Sequence, residues 1–315
     1  MKIVICEFMD ESAVDALRQR FEVRYDPALV DRRAELERLL ADAEALVVRN
    51  RTQVDGGLLD AAPRLRVVGR LGVGLDNIDV AACEARGVGV IPATGANALA
   101  VAEYVIACGM MLLRGAYLSS DAVASGAWPR TRLSEGRETG GKTLGLVGFG
   151  GIGRLTARLA KGLGMQVVAY DPILHRDAPV WEETGVKRLD LDALLAQADV
   201  VSLHVPLTDA TRGLMNMTRI GAMKPGAVLI NTARGGIVDE MALAEALRQG
   251  RLAGAALDVF GQEPLPAGSA LANVPNLVLT PHIGGVTRES NERVSALIAE
   301  KVADRLLELA AMEQA

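Results

Sequence analysis

The feature that most constrains this fold is a glycine-rich turn between an apolar strand and a helix. Residues 144–147 are apolar and predict a buried parallel strand, which continues directly into Gly148-Phe149-Gly150-Gly151-Ile152-Gly153 and then into a helix. A second apolar strand, Gln166–Tyr170, follows and ends in Asp171. A strand, a glycine turn, a helix and an acidic residue after the next strand together predict a βαβ unit that binds a dinucleotide.

Each of these residues has its own expected role. Gly148 permits the tight turn, Gly150 lets the backbone approach a pyrophosphate, and Gly153 lets the helix pack closely on the strand. The helix N-terminus directs its amides at the phosphates. We expect the carboxylate of Asp171 to bind the adenosine ribose and to repel a 2′-phosphate, so the predicted cofactor is NAD rather than NADP. A purely structural glycine turn is the alternative.

Strands and helices alternate on both sides of this turn. Strand-like segments before it are 3–6, 21–25, 45–49, 66–70 and 88–91, and those after it include 200–203, 227–230, 253–259 and 277–279. Residues 98–123 predict one long helix, and residues 287–312 have apolar positions at helical spacing.

The predicted fold class is α/β, with two doubly wound parallel-sheet domains. In this prediction a Rossmann NAD-binding domain, residues 98–285, is inserted into a flavodoxin-like substrate (catalytic) domain formed by residues 1–97 and 286–315. The last helix then returns to the first domain. The substrate is expected in a cleft between the two domains, at the carboxyl ends of the strands.

Composition limits the classes of function. The chain has 315 residues, a net charge of -5 and 50% hydrophobic residues, with no basic run that would predict nucleic-acid binding. The longest apolar segment, 98–113, contains Glu103 and is too short for a membrane span, and the N-terminus does not resemble a signal peptide. Cys6, Cys83 and Cys108 lack metal-ligand spacing. We therefore expect a cytoplasmic protein with no metal, no nucleic-acid partner and no membrane contact.

Three polar residues follow apolar strands and are the candidates for chemistry. His282 follows residues 277–279, Arg234 follows a strand ending at 230, and Glu263 follows residues 253–259. A carboxylate beside an imidazole orients the ring for proton transfer, and a guanidinium at a strand end needs an anionic partner. The alternatives are a structural histidine and an internal ion pair from Arg234 to Asp239 or Glu240.

Taken together, the motifs resemble those of the D-isomer-specific 2-hydroxyacid dehydrogenase family over nearly the whole chain. The resemblance rests on residues 69–77, 148–153 with Asp171, 231–236, 257–264 and 281–284. It points to the short branch that lacks a C-terminal regulatory domain and is similar to 3-phosphoglycerate or sulfolactate dehydrogenases. It implies an NAD-dependent enzyme that interconverts a D-configured 2-hydroxy acid and its 2-oxo acid.

The resemblance also implies roles for individual residues. Arg234 would bind the substrate carboxylate, His282 would be the acid/base, and Glu263 would support His282. The residues expected to contact the cofactor are Gly148, Gly150, Gly151, Ile152, Gly153, Asp171, Pro206, Ala233, Asp258, His282 and Gly284. The backbone amides of Val73 and Gly74 would hold the substrate carboxylate together with Arg234.

Arg49, Arg51 and Arg70 are further substrate-binding candidates, since they end neighbouring strands of the first domain. A second anion on substrate C3, such as a phosphate, a sulfonate or a carboxylate, would engage such a cluster. This favours phosphohydroxypyruvate or sulfopyruvate over pyruvate. The alternative is that these arginines are solvated or paired with nearby acids.

Two other functions share this architecture. A formate dehydrogenase would carry glutamine where Glu263 stands. An NAD-binding corepressor-like or redox-sensing module keeps a similar Arg, Glu and His set, and fold alone does not separate it from an enzyme. We also expect a homodimer through residues 98–123, where Met110 and Met111 offer apolar surface.

Overall fold

The structure is a computed structural model that describes residues 1–314; Ala315, with which the predicted segment 286–315 ends, lies outside the described residues. In chain order the strands are β1 (Lys2–Ile5), β2 (Glu22–Tyr25), β3 (Ala45–Val48), β4 (Val67–Arg70), β5 (Gly89–Pro92), β6 (Thr143–Val147), β7 (Gln166–Tyr170), β8 (Lys187–Arg188), β9 (Val200–Leu203), β10 (Val228–Asn231), β11 (Gly254–Leu257) and β12 (Leu277–Leu279).

The α-helices are α1 (Glu11–Arg18), α2 (Arg33–Leu40), α3 (Gly56–Asp60), α4 (Val80–Ala85), α5 (Ala98–Arg114), α6 (Ser120–Ala124), α7 (Arg130–Leu133), α8 (Gly151–Gly162), α9 (Pro179–Thr184), α10 (Leu191–Gln197), α11 (Met217–Ala222), α12 (Glu240–Arg248) and α13 (Arg288–Gln314). Short 3-10 turns occur at Pro27–Asp31 and Tyr117–Ser119. None of the helices in residues 1–314 has the length and apolarity that crossing a membrane requires.

The chain divides into two compact units. Unit 1 consists of Met1–Asn97 and Val286–Ala315, and unit 2 consists of Ala98–Gly285. Unit 2 therefore interrupts unit 1 along the chain.

Unit 1 is a parallel sheet in the strand order β2-β1-β3-β4-β5. Its central strands are continuous apolar runs because side chains on both faces of the sheet are buried. Helix α13 covers one face, where a Cβ on Gly69 of β4 would lie 2.7 Å from Cγ2 of Val302. Only a glycine at that position lets helix and strand approach so closely. The order 2-1-3-4-5 is flavodoxin-like.

Unit 2 is a parallel sheet in the order β12-β11-β10-β9-β6-β7-β8. Counted from β6, this is the Rossmann order 3-2-1-4-5-6 with one additional strand, β12, at the edge. The two sheets confirm the predicted fold class. Strand β8 was not predicted, since it consists only of Lys187 and Arg188 and has no apolar pattern.

The prediction of one helix over residues 98–123 is wrong. Helix α5 ends at Arg114, and Gly115 follows with a φ of +67°. This left-handed conformation suits glycine and ends a helix. The chain then forms a 3-10 turn and the short helix α6. The last helix and the strands agree with the sequence to within about two residues at most ends, which is the usual uncertainty of element boundaries.

Candidate active site

The glycine turn of unit 2 has the geometry of a phosphate cradle. Gly148 has a φ of +98°, and a Cβ there would lie 2.6 Å from the carbonyl oxygen of His204. A Cβ on Gly153 would lie 2.5 Å from the carbonyl oxygen of Gly148. By contrast, a Cβ on Gly150 or Gly151 would meet nothing within 4 Å. Two glycines are thus required by packing, and the other two border open space at the N-terminus of α8, where a pyrophosphate fits.

Asp171 stands at the end of β7, beside this turn. Its carboxylate accepts hydrogen bonds from the backbone amides of Phe149 (2.8 Å), Ile173 (2.9 Å) and Leu174 (3.1 Å). The Phe149 ring stacks on Trp181, with ring centroids 5.0 Å apart. The three hydrogen bonds hold the Asp171 carboxylate in one orientation at the end of β7, where the ribose of the cofactor is expected. Pro206 follows β9, the strand that pairs with β6 at the point where the strand order reverses.

Glu263 and His282 are in direct contact. Nδ1 of His282 lies 2.7 Å from Oε2 of Glu263, and the other carboxylate oxygen accepts a hydrogen bond from the Phe260 amide at 3.0 Å. Because Nδ1 donates to a carboxylate, the second ring nitrogen, Nε2, is the one that remains for a substrate. His282 has a φ of +56°, an uncommon conformation for a residue other than glycine.

A buried carboxylate holds the loop that carries His282. Asp258 is 2% exposed. Its Oδ1 accepts hydrogen bonds from the Thr280 hydroxyl (2.6 Å) and the Ile283 amide (2.8 Å), and its Oδ2 accepts one from the Gly284 amide (2.7 Å). The cofactor contact predicted for Asp258 stays a prediction, and what the structure shows is that its carboxylate fixes the loop.

Tyr104 belongs to the same network and was missed in the sequence. Its hydroxyl lies 2.6 Å from Oγ1 of Thr280, and it is the donor because the Thr280 hydrogen goes to Asp258. Burial raises the pKa of the Tyr104 hydroxyl above its ordinary value, so it stays protonated. In the sequence Tyr104 lies within an apolar helix and carries no separate signal.

Arg234 lies on a loop shaped by Asn231, which is 1% exposed. The Asn231 side chain donates to the Arg234 carbonyl at 2.9 Å and accepts from the Ala233 amide at 3.0 Å. The guanidinium donates through Nη1 to the Ala233 carbonyl at 2.6 Å. The two acids named as alternative partners have other contacts, since Asp239 caps α12 and Glu240 accepts from the Gly261 amide.

The sheet brings the three candidate residues to one edge. Arg234 follows β10, Glu263 follows β11 and His282 follows β12, and these strands are neighbours in the order β12-β11-β10. All three strands are parallel, so the loops after them leave the sheet on the same side. An arginine, a carboxylate-bound histidine and a nucleotide cradle on one edge can bind an anion, transfer a proton and hold a dinucleotide.

In unit 1, the three arginines differ in their surroundings. Arg49 is half-buried, donates through Nη2 to Oδ1 of Asn291 at 2.7 Å and lies over the Phe8 ring. Burial lowers the pKa of its guanidinium below the ordinary value. Arg49 forms no ion pair with a carboxylate in residues 1–314.

The other two arginines have different partners. Arg51 is exposed and forms an ion pair with Asp31. Arg70 donates to the Leu71 carbonyl at 3.1 Å, and its guanidinium lies over Gly72. The amides of Val73 and Gly74, in the loop after β4, donate to no acceptor within the described part of the chain. These two amides and Arg49 are therefore the groups of unit 1 that best suit an anionic ligand.

Comparison with known proteins adds an independent line of evidence. Residues 106–284 match the family model described as "D-isomer specific 2-hydroxyacid dehydrogenase, NAD binding domain". The chain is 56% identical over 301 residues to an (S)-sulfolactate dehydrogenase of Chromohalobacter salexigens, covering 95% of this chain and 96% of that protein.

Two further relatives extend this comparison. The chain is 41% identical to a D-3-phosphoglycerate dehydrogenase of Archaeoglobus fulgidus, over 96% of this chain but only 56% of that protein. Among solved structures, a glyoxylate reductase from Paecilomyes thermophila is 30% identical with a TM-score of 0.84, covering 96% of this chain and 94% of that one.

Proposed function

The chain belongs to the D-isomer specific 2-hydroxyacid dehydrogenase family, and we propose that it interconverts (S)-sulfolactate and 3-sulfopyruvate. It is an NAD-dependent oxidoreductase. The choice of substrate rests on Arg49 together with the sulfolactate-dehydrogenase relative. The hypothesis of a binding module without turnover gains no support from these relatives, which are named as enzymes.

NAD supplies the nicotinamide carbon that accepts or returns the hydride of substrate C2. For the protein's own part, Arg234 binds the carboxylate next to the reacting carbonyl and polarises that carbonyl. His282 gives a proton from Nε2 to the carbonyl oxygen during reduction and takes it back during oxidation. Glu263 keeps the ring oriented through Nδ1. Val73 and Gly74 offer their backbone amides to the substrate carboxylate.

Arg49 is the single observation that carries the proposal of a second anion. The half-buried guanidinium is attracted by the Glu7 carboxylate but forms no ion pair with it, because both Glu7 oxygens accept hydrogen bonds from backbone amides. A ligand that supplies a negative charge at the guanidinium would offset the remaining cost of burial. Arg49 stands at the carboxyl end of β3, beside β1, where the strand order of unit 1 reverses. Ligands of open α/β sheets bind at such a switch point. Pyruvate has one carboxylate, whereas sulfopyruvate carries a second anionic group that this guanidinium can bind.

The configuration of sulfolactate agrees with the family's stereochemistry. Sulfur on C3 outranks the carboxyl oxygens in priority, so the S label describes the same spatial arrangement that is called R in D-lactate. The (S) isomer acted on by the relative from Chromohalobacter salexigens is therefore the D-configured one.

We also propose that the enzyme is a cytoplasmic homodimer. Leu99 and Met110 of α5 are 39% and 41% exposed, and a second copy would cover such apolar side chains. Cys6, Cys83 and Cys108 are free thiols, which suits a reducing compartment. Light scattering of the purified protein tests the dimer, and a monomer mass would exclude it.

The direct test of the substrate proposal is oxidation of single enantiomers with NAD, followed by NADH absorbance. We expect turnover with (S)-sulfolactate and none with (R)-sulfolactate, with D-lactate and 3-phosphoglycerate as the comparison substrates. Equal rates with both enantiomers would contradict the stereochemistry. A higher kcat/KM for 3-phosphoglycerate would reassign the distal anion to a phosphate. If no acid were oxidised although the protein binds NADH, the hypothesis of a binding module without turnover would be favoured.

A further inference from the structure

The amides of the loop after β3 are held by one buried carboxylate. Glu7 follows β1 and is 4% exposed. Its Oε1 accepts hydrogen bonds from the amides of Arg49 (2.9 Å) and Thr52 (3.0 Å), and its Oε2 accepts from those of Asn50 (3.3 Å) and Arg51 (3.2 Å). All four consecutive amides of residues 49–52 thus point at a single side chain.

In the described part of the chain, the amides of this loop take no part in the hydrogen bonding of a strand or a helix. Residues 49–52 belong to neither a strand nor a helix, and none of their amides donates to a backbone carbonyl in residues 1–314. Burial alone raises the pKa of a carboxyl group, but the amides of Thr52, Arg49 and Arg51 outweigh it and lower the pKa of Glu7 below its ordinary value. The carboxylate is therefore charged and its four hydrogen bonds are charge-assisted, which makes them stronger than neutral ones.

The residues on either side of Glu7 contact the same loop. Cys6 Sγ lies 3.3 Å from Oγ1 of Thr52, and the Phe8 ring lies under the guanidinium of Arg49, 5.8 Å from its centre. Residues 6–8 thus contact both the backbone of this loop, through Glu7, and the side chain of its first residue, Arg49, through Phe8. The Arg49 side chain is held by the Phe8 ring and by its hydrogen bond to Asn291, and its backbone is held by Glu7.

We propose that Glu7 is a positioning residue that aims Arg49 at the distal anion of the substrate. This inference rests on the proposed function, because it presupposes that Arg49 binds that anion. Glu7 itself carries the wrong charge to touch an anionic substrate, and both of its oxygens are occupied by the loop. The negative charge of Glu7 on its own would weaken the binding of an anionic substrate, whereas its hold on the loop that carries Arg49 would strengthen it.

Because these two effects are opposite, the direction in which the KM changes in a Glu7 variant distinguishes positioning from charge. The variants are Glu7→Gln, Glu7→Asp and, as the matched control, Asp31→Asn. Asp31 ends the 3-10 turn Pro27–Asp31 and pairs with the Arg51 side chain, so this control removes a nearby carboxylate that accepts from none of the amides of residues 49–52. If charge alone mattered, both neutral variants would lower the KM for an anionic substrate. Positioning predicts that Glu7→Gln raises the KM for 3-sulfopyruvate about tenfold or more, as expected for lost hydrogen bonds to a charged group.

The remaining readouts separate positioning from general damage. In Glu7→Gln we expect the KM for pyruvate and the Kd for NADH to change less than about threefold, a shift well under the tenfold that one lost interaction of this kind produces. Glu7→Asp keeps the charge and should restore part of the affinity for sulfopyruvate. Asp31→Asn should leave that KM unchanged or lower it. A Glu7→Gln variant whose sulfopyruvate KM falls or stays unchanged would overturn the proposal.

Failure of the proposed function has a different signature. If the wild type does not prefer sulfopyruvate over pyruvate, the proposal that the substrate carries a distal anion is wrong, whatever the Glu7 variants show. Amide hydrogen exchange of the wild type tests the contact itself, even where a variant does not fold. The amides of residues 49–52 should exchange slowly, and those of Val73 and Gly74, which donate to no acceptor in residues 1–314, should exchange fast. Equally fast exchange in both loops would also overturn the proposal.

Discussion

Nδ1 of His282 donates to Oε2 of Glu263 across 2.7 Å, while Oε1 of the same carboxylate is fixed by the Phe260 amide. Within residues 1–314 the imidazole is therefore held through Nδ1 alone, and Nε2 is the nitrogen left for proton exchange with a substrate. The side chains of His282 and Glu263 are 42% and 35% exposed, so water or a small acid has access to the ring.

Loss of His282 should abolish most of the turnover. We expect His282→Ala to reduce kcat by about a hundredfold or more, the usual size of an acid/base contribution. Glu263→Gln should reduce kcat less, because the glutamine can still accept a hydrogen bond from Nδ1 of His282 and only the negative charge is lost. NADH binding should persist in both variants. Stopped-flow measurement of single turnovers checks these effects, and an unchanged kcat in His282→Ala would remove His282 from the mechanism.

The glycine turn offers a matched pair of substitutions. A side chain at Gly150 enters open space, so Gly150→Val should leave the melting temperature nearly unchanged but weaken NADH binding. Gly153→Ala brings a methyl group to 2.5 Å from the Gly148 carbonyl and should cost stability. The expected loss is about 1–3 kcal/mol, the range for overpacking.

Fluorescence provides the binding readout for this pair. Trp181 stacks on Phe149 inside the turn, whereas Trp128, the other tryptophan, is 76% exposed. In a Trp128→Phe background, energy transfer from Trp181 should report NADH directly. Equal NADH affinity in Gly150→Val and the wild type would place the pyrophosphate elsewhere.

His204 should make stability depend on pH. Burial lowers its pKa from 6.5 to about 4, so the folded protein favours the neutral ring. Well above pH 6.5 the ring of His204 is neutral in both the folded and the unfolded state. As the pH falls through 6.5 towards 4, the unfolded state takes up the proton first. The free energy of unfolding should therefore fall by on the order of 1–2 kcal/mol more in the wild type than in His204→Gln between about pH 7 and pH 5. Urea denaturation at both pH values measures this difference, and identical pH dependence in the two proteins would contradict it.

The sequence predicted the sheets because parallel strands buried on both faces are continuous apolar runs that end in polar residues. The positions of Arg234, Glu263 and His282 after neighbouring strands could be predicted for the same reason, while their catalytic roles stay predictions. The end of α5 was missed because residues 116–124 contain neither glycine nor proline, and the left-handed conformation of Gly115, which ends the helix, cannot be told from the sequence.

The long-range contacts could not be read from the sequence. Glu7 bonds to amides 42 to 45 residues away, and backbone amides have no side-chain signature. The contact between Tyr104 and Thr280 spans 176 residues. The sequence also could not separate Arg49 from Arg51, since both flank one asparagine, yet one is half-buried against Phe8 and the other pairs with Asp31.

Whether Arg49 binds a distal anion of the substrate is decided by one ratio, that of kcat/KM for 3-sulfopyruvate to kcat/KM for pyruvate. It is measured with NADH in the wild type, Arg49→Ala and Arg51→Ala. The wild type should prefer sulfopyruvate, and Arg49→Ala should reduce the ratio about 10- to 100-fold, the value of a hydrogen-bonded charge. Arg51→Ala should change it by less than about fivefold, because an exposed ion pair with Asp31 already engages that side chain. A wild type that uses pyruvate equally well, or an Arg49→Ala variant with an unchanged ratio, would show that Arg49 does not bind a distal anion.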